Sequence, residues 1–239
     1  MGAALGAMKA PVIVALGGSL LRPEIAQRHL WLADVCDILS GCKNPVGLVI
    51  GGGAPAREAI ALARPMLKDV AALDEIGIAA TRLNAMIVAQ VLTEAGLDVC
   101  PGIPSDVDSA SRALTSHSVV VMGGTRPGHT TDNVAIRLAI ASGASRCLIA
   151  TNVDHVYSSD PRSNADARPI ELMTLRDLQK IVGPPVHRAA GGSGVIDPIG
   201  VQAAIDHCMP LAVLDGRETD RLKAALNGEP FEGTRIEVE

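Results

Sequence analysis

Aromatic residues are almost absent from this chain of 239 residues, which has one Trp, one Tyr and one Phe, namely Trp31, Tyr157 and Phe231. A core must therefore be built from aliphatic side chains, which suits helices packed closely on a parallel sheet. The same scarcity excludes a surface for stacking nucleic-acid bases. A net charge of −5 also lacks the basic face that binds phosphate backbones, so we expect no nucleic-acid partner.

Long hydrophobic runs and paired cysteines are missing as well. No uninterrupted apolar run reaches about 18 residues, so we expect no membrane span, and the opening MGAALGAMKA lacks the charged start of a signal peptide. The five cysteines are odd in number and form no CxxC pair, which is typical of reduced thiols. The histidines have no metal-ligand spacing, so we expect no protein-held metal. A cytoplasmic protein is predicted.

What is present is an alternation of strand and helix patterns. Runs that are apolar at every position predict strands covered on both faces, and they are Val12–Leu16, Val46–Ile50, Ser118–Met122, Cys147–Ala150 and Leu211–Leu214. Helix-length patterns lie at Glu24–Leu39, Pro55–Leu67, Asp74–Glu94, Thr131–Ser142, Leu175–Ile181, Val195–His207 and Thr219–Leu226. The alternation predicts an α/β fold, a three-layer αβα sandwich with a mainly parallel central sheet. The alternating segment from Gly233 to Val238 predicts an edge strand, and 158–168 a mobile surface loop.

Three glycine-rich segments each follow a predicted strand, at 17–19, 51–57 and 123–132. Glycine lets backbone N–H groups approach an oxyanion closely, and a helix N-terminus adds favourable dipole charge. The carboxyl ends of parallel strands meet at the edge where α/β proteins bind ligands. One such turn alone could simply make a tight corner, but three in succession predict a site for several phosphates. We therefore expect phosphoryl transfer between ATP and a second small molecule that carries a phosphate.

Two familiar phosphate-binding motifs are excluded. The chain has no GxxxxGK[ST], so it is not a P-loop protein. The run from Gly51 to Ala56 fits the loose dinucleotide pattern, but the acid expected about 20 residues later should end a second strand. Asp74 and Glu75 instead open a predicted helix, which argues against a dehydrogenase.

A fourth segment, TNVDHVYSSDP from Thr151 to Pro161, makes the pattern specific. Together with GGS at 17–19, GGG at 51–53 with Arg57, Asp74, GHTTD at 128–132 and VIDP at 195–198, it resembles the amino acid kinase family. Within that family the motifs are similar to the archaeal type of uridylate kinase. The resemblance implies one domain over 1–239, with an acceptor-binding N-terminal lobe of about 8–145 and an ATP-binding C-terminal lobe of about 146–239. It also implies ATP and Mg²⁺ as cofactors, UMP as acceptor and a homohexamer.

The resemblance assigns site residues to three groups. ATP-binding residues would be Gly17, Gly18, Ser19, Gly53, Arg57, Thr151, Asn152, Tyr157 and Asp160. UMP-binding residues would be Gly52, Asp74, Thr125, Gly128, Thr130 and Thr131. Catalytic residues would be Gly18, Ser19, Arg57, Arg126 and His129.

The chemistry of several residues supports these roles without the resemblance. The guanidinium of Arg57 is a fixed-charge fork suited to phosphate oxygens, and the carboxylate of Asp74 can accept hydrogen bonds from sugar hydroxyls. Asp74 could equally be a plain helix cap, and Tyr157 a loop side chain over the edge of the core. Asp132 is interpreted as a helix cap and not as a catalytic group.

The chain departs from the family pattern at two places. Many members carry a lysine where this chain has Ala15, and His155 replaces the glycine expected in TNVDGVY. Loss of one cation at a phosphoryl-transfer site can lower the rate by orders of magnitude. Arg57, Arg126 or His129 would have to supply the missing charge. Two alternatives to a UMP kinase therefore stay open: a catalytically weakened nucleotide-binding relative resembling the molybdenum storage protein, or a kinase for another small phosphate or carboxylate acceptor.

Overall fold

A computed structural model describes residues 10–21, 28–186 and 196–239 of the chain. The predicted helix starts at Glu24 and Val195, and also His187, lie outside the described residues.

Strands and helices alternate along most of the chain, as the hydrophobic pattern predicts. In chain order the elements are β1 (Val12–Leu16), a 3-10 helix (Gly18–Leu21), α1 (Arg28–Ser40), β2 (Val46–Ile50), α2 (Gly53–Ala63), α3 (Val70–Glu94), α4 (Val107–Ala113), β3 (Val119–Met122), α5 (Thr131–Ser142), β4 (Cys147–Thr151), β5 (Val156–Tyr157), β6 (Pro169–Ile170), β7 (Leu172–Thr174), α6 (Leu175–Val182), α7 (Pro198–Asp206), β8 (Leu211–Asp215), α8 (Thr219–Asn227) and β9 (Thr234–Glu237).

Seven strands form the main sheet in the order β3-β2-β1-β4-β8-β9-β7, while β5 and β6 pair separately. The first five strands of that order are parallel. β9 runs antiparallel to β8 and parallel to β7. The prediction of β9 as an edge strand is therefore wrong, because the three-residue strand β7 lies outside it. The side chains of Thr234 and Ile236 are fully buried, whereas Arg235 and Glu237 on the other face of the same strand are exposed.

The sheet is covered on both faces, which confirms the three-layer α/β sandwich. Alternate residues of β1 enter different cores: Ile13 and Ala15 pack with residues of α5 and α7, whereas Val14 and Leu16 pack with residues of α1, α3 and α8. All five residues of β1 are buried, which explains the unbroken apolar run in the sequence.

The longest helix, α3, begins at Val70, and its N-cap is Asp69, whose carboxylate accepts a hydrogen bond from the backbone N–H of Ala71 at 2.9 Å. Interpreting Asp74 as the N-cap is therefore wrong, since Asp74 lies more than a turn inside the helix. Among the described residues α3 is the one helix long and apolar enough to cross a membrane, and 39% of its most apolar window is buried. A core helix of a soluble protein passes the same test. The face of α3 towards the sheet is buried and contributes to the core beside β2 and β3.

Candidate active site

Five parallel strands end at one edge of the sheet, and the residues after them lie side by side. The register pairs Leu16 with Ile50 and with Ala150, and pairs Thr151 with Asp215. Backbone hydrogen bonds continue the ladder past the strand ends, from Gly17 to Ala150 at 2.8 Å, from Gly51 to Leu16 at 2.8 Å and from Gly216 to Thr151 at 2.7 Å. The glycine turns predicted from the sequence thus converge on a common edge, where α/β sheets bind ligands.

The first two glycine turns touch each other directly. A Cβ added at Gly18 would overlap the backbone of Gly51 and Gly53, and one added at Gly53 would overlap the backbone of Gly18. Gly53 also has a φ of +61°, which favours glycine, at the first position of α2. Gly17 and Ser19 flank Gly18 and are half-buried. Backbone N–H groups of both turns can therefore approach one oxyanion from two sides.

Helix α3 holds the second and third turns in place. The side-chain amide of Asn84 donates to the carbonyls of Gly51 at 2.8 Å and Gly52 at 3.0 Å. The hydroxyl of Thr81 accepts from the backbone N–H of Gly124 at 2.7 Å. Arg82 donates from Nε to the carbonyl of Gly124 at 3.1 Å and from its terminal nitrogen to that of Thr125 at 3.4 Å. None of these three side chains was singled out from the sequence, since each lies inside a helix and bonds backbone far along the chain.

We call the third turn, residues 123–131, the acceptor loop, because it contains most of the residues predicted to bind UMP. The carboxylate of Asp74 accepts from the backbone N–H of Gly128 at 2.8 Å, so the two predicted residues are brought together. Arg126 donates to the ring Nε2 of His129 at 3.0 and 3.2 Å, so the two predicted catalytic residues lie next to each other and Arg126 carries the positive charge of the pair.

Arg57 lies in the first turns of α2 and is exposed. Its guanidinium makes no hydrogen bond or ion pair with residues 10–21, 28–186 or 196–239. A fixed positive charge is thus available near the second turn, and such a charge is suited to binding a phosphate.

Helix α5 starts at the end of the acceptor loop, with Thr130 and Thr131 at its N-terminus. Its N-cap is Thr130, whose hydroxyl accepts from the backbone N–H of Asn133 at 3.3 Å. The interpretation of Asp132 as the cap is therefore wrong. Burial and, second, the neighbouring carboxylate of Asp197 raise the pKa of Asp132 to about 7. A strongly raised carboxyl pKa is a common property of functional sites, and nothing in the sequence indicated this one.

The ATP-side residues of the prediction lie after β4. Thr151 ends β4 and its hydroxyl lies 3.4 Å from the side-chain oxygen of Asn152, which is exposed. The hydroxyl of Tyr157 donates to Asp154 at 2.9 Å, and Nδ1 of the buried His155 lies 3.3 Å from the other oxygen of that carboxylate. Although burial opposes ionisation, these two neighbours hold the pKa of Asp154 below its ordinary value. His155, which stands where the family pattern has a glycine, is thus buried against the carboxylate of Asp154.

Two ion pairs lie further along the C-terminal half of the chain. Asp160 lies in an exposed turn after β5, where its carboxylate is bound by Arg162 at 2.9 to 3.1 Å. At the end of β8 the buried carboxylate of Asp215 holds Arg217 through Nε at 2.9 Å and the terminal nitrogen at 2.6 Å. The side chain of Arg217 is still 52% exposed, so it presents an oriented cation beside the end of β4. Neither Asp215 nor Arg217 was identified from the sequence.

Ala15, in place of the family lysine, is only 2% exposed and packs in the core on the α5 side of the sheet. The position at which many family members carry a lysine is therefore part of the apolar core in this chain.

Backbone cradles at neighbouring strand ends, with arginines beside them, define a class: an α/β protein that binds two oxyanions close together. Comparison with known proteins agrees. The model of the amino acid kinase family matches residues 10–215. The chain is 37% identical to the uridylate kinase of Methanococcus vannielii over 228 residues, which cover 94% of this chain and 98% of that protein. It is 39% identical to the uridylate kinase of Methanosarcina mazei, covering 91% and 92% respectively.

Solved structures give the same result. The crystal structure of uridylate kinase from Archaeoglobus fulgidus superposes with a TM-score of 0.79 at 36% identity, covering 94% of this chain and 99% of that one. The UMP kinase of Bacillus anthracis, with a TM-score of 0.77 and 24% identity, shares the fold. The chain belongs to the amino acid kinase family.

Proposed function

We propose that this chain transfers the γ-phosphoryl group of ATP to UMP and releases ADP and UDP. The observation that supports the proposal is the contact between the turns at Gly18 and Gly53, because it brings the backbones of two neighbouring strand ends against each other. The relatives named uridylate kinase, which match nearly the whole chain, support UMP as the acceptor.

The chemistry needs no protein nucleophile, because the acceptor is already an anion. An oxygen of the UMP phosphate bonds to the γ-phosphorus while the bond from that phosphorus to the β–γ bridging oxygen breaks, and ADP leaves with the electron pair. Catalysis then rests on positioning and on stabilising negative charge. We assign the backbone of Gly17, Gly18 and Ser19 to the transferred group, and Gly52, Gly53 and Arg57 to the phosphates on either side.

We further propose that the two halves of the chain divide the substrates. In the half up to about residue 145, Asp74 and residues Thr125, Gly128, Thr130 and Thr131 form the UMP site, with Arg126 supplying positive charge and His129 accepting from its guanidinium. In the half from about residue 146, Thr151, Asn152, Tyr157 and Asp160 line the ATP site. Arg217 joins this second group, because Asp215 fixes it beside the end of β4.

Mg²⁺ would neutralise charge on the phosphates of bound ATP. The described residues contain no group of three or more His, Cys, Asp or Glu side chains placed to hold a metal ion. Phosphate oxygens and water would therefore provide most of its ligands, which is the usual way Mg²⁺ is bound at such sites.

We also propose a homohexamer in the cytoplasm. Helix α3 exposes an apolar stripe of Leu83, Met86 and Ile87, each about half exposed and spaced to share one face. Such a stripe on a surface helix is typical of a subunit interface. Light scattering on the purified chain gives the molar mass of the assembly. A Met86→Glu variant with the same molar mass as the wild type would remove α3 from the interface.

A coupled assay for ADP release, with UMP, CMP, dUMP and no acceptor in parallel, tests the activity. Turnover that depends on UMP and exceeds that with the other acceptors is expected. Nucleotide binding without turnover would contradict the proposal and favour the weakened relative. Turnover with a different small phosphate or carboxylate would contradict only the assignment of UMP as the acceptor.

A further inference from the structure

Asp197 connects the acceptor loop to the C-terminal half of the chain. We propose that Asp197 is a positioning residue which, through Thr130, holds the acceptor loop in the shape that binds the acceptor phosphate. This inference rests on the proposed function, since it concerns the affinity of the same site for UMP.

The two oxygens of the Asp197 carboxylate have separate partners. Oδ2 accepts from the hydroxyl of Thr130 at 2.7 Å and from its backbone N–H at 3.4 Å. Oδ1 accepts from the backbone N–H groups of Ile199 at 2.7 Å and Gly200 at 3.3 Å, which makes Asp197 the N-cap of α7. The residue is only 8% exposed, so these bonds are shielded from water. One side chain thus caps a helix and fixes a loop 67 residues away.

The proton of the Thr130 hydroxyl is committed by these contacts. The hydroxyl donates this proton to Asp197, and one of its lone pairs accepts from the backbone N–H of Asn133. A hydroxyl has one proton to donate, so Thr130 cannot donate to a ligand while this bond exists. The contribution of Thr130 to the acceptor site is therefore to hold the loop and the start of α5.

Besides the contacts of Arg82, three side chains accept hydrogen bonds from backbone N–H groups of the acceptor loop, and Asp197 is the third. Thr81 and Asp74, both on α3, bind the backbone N–H groups of Gly124 and Gly128. Asp197 alone of these anchors comes from the C-terminal half, at the start of α7. The anchor at the end of the loop thus ties the proposed acceptor side of the site to the half that we assign to ATP.

A substitution can separate the two tasks of Asp197. Asparagine caps helices about as well as aspartate, so Asp197→Asn keeps an oxygen for Ile199 and Gly200. Its amide nitrogen cannot accept the proton of Thr130, so the charge-assisted hydrogen bond to the loop is lost. Thr130→Val removes the same link from the other side, whereas Thr130→Ser retains it.

A matched control lies at the opposite edge of the sheet. There the hydroxyl of Thr174 donates to Asp177 at 2.9 Å at the start of α6. Asp177→Asn makes the same chemical change in a threonine–aspartate pair outside the site, and its turnover and KM values are expected to stay unchanged.

The test is steady-state kinetics of Asp197→Asn, Thr130→Val, Thr130→Ser and the double variant Asp197→Asn with Thr130→Val. We expect KM for UMP to rise about tenfold or more in Asp197→Asn and in Thr130→Val, as for loss of a hydrogen bond to a charged group. KM for ATP should change far less, and Thr130→Ser, which keeps the hydroxyl, should raise KM for UMP less than Thr130→Val does. The double variant should be no worse than the poorer single variant, because both remove one interaction.

Two results would overturn the inference while leaving the proposed function intact: Asp197→Asn with the same KM for UMP as Asp177→Asn, or effects that multiply in the double variant. A wild-type chain without turnover on UMP would instead overturn the proposed function, and the inference with it.

Discussion

Gly18 and Gly53 meet so closely that neither position has room for a Cβ. The contact joins the turn after β1 to the start of α2, and it sets the spacing of the two backbone cradles on which the proposed chemistry depends.

Gly18→Ala should therefore lower activity by about a hundredfold or more. Its Cβ would lie 2.5 Å from the carbonyl oxygen of Gly51, so the two turns would have to separate, and a displacement of about 1 Å at a reacting centre can cost roughly a hundredfold in rate. Gly96→Ala is the control, because Gly96 has a φ of +85° but no atom within 4 Å of an added Cβ. That variant should lose only about 1 kcal/mol of stability and no specific activity. Normal turnover in Gly18→Ala would show that the spacing is not required.

Arg57→Ala should weaken binding of UMP. The exposed guanidinium has no partner among the described residues, so its removal costs no internal contact there and takes away a charge for phosphate oxygens. We expect KM for UMP to rise about ten- to a hundredfold, with thermal stability unchanged. Arg112→Ala, at the end of α4, controls for general loss of positive charge. An unchanged KM for UMP would remove Arg57 from the acceptor site.

Arg217→Ala should weaken the binding of ATP and leave the binding of UMP unchanged. Asp215 orients the guanidinium beside the end of β4, and the pairing raises the pKa of Arg217 above its already high ordinary value, so the group stays charged. Kinetics at saturating UMP should give a KM for ATP increased by about tenfold or more. Arg235→Ala, on β9, serves as the control. Equal KM values for ATP in the two variants would exclude Arg217 from the nucleotide site.

Asp132→Asn should change how stability depends on pH. The pKa of Asp132 is raised in the folded chain to about 7, so folding favours the protonated form, and this contribution is lost as pH rises from about 4 to 7. Above pH 7 the folded wild type carries an unfavourable charge beside Asp197 that asparagine lacks. Urea unfolding should therefore show the variant more stable at pH 8, by on the order of a few kcal/mol, with the difference shrinking towards pH 4. A difference independent of pH would contradict the raised pKa.

The sequence predicted the parallel strands well because burial on both faces leaves unbroken apolar runs, as in Val12–Leu16. It missed α4 and β7, since seven- and three-residue elements are too short for a period to appear. β9 was predicted as a strand, but its place between β8 and β7 depends on pairing with distant residues, which periodicity does not report.

The residues of the candidate site divide in the same way, into those that local sequence reveals and those that depend on distant contacts. Glycine turns such as 17–19 were visible because their composition is local and their position after a strand fixes the edge they occupy. Asn84, Asp197 and Arg217 were missed as site residues because their roles arise from contacts across many residues of chain. Asp74 was identified, and its contact with Gly128 is known only from the fold.

The position of β9 has a consequence for aggregation. Among the strands that the structure describes, β7 pairs with β9 alone, and β9 covers the edge of β8. If β9 detached, β7 would leave the sheet with it, and β8 would present an unpaired edge open to association with other chains.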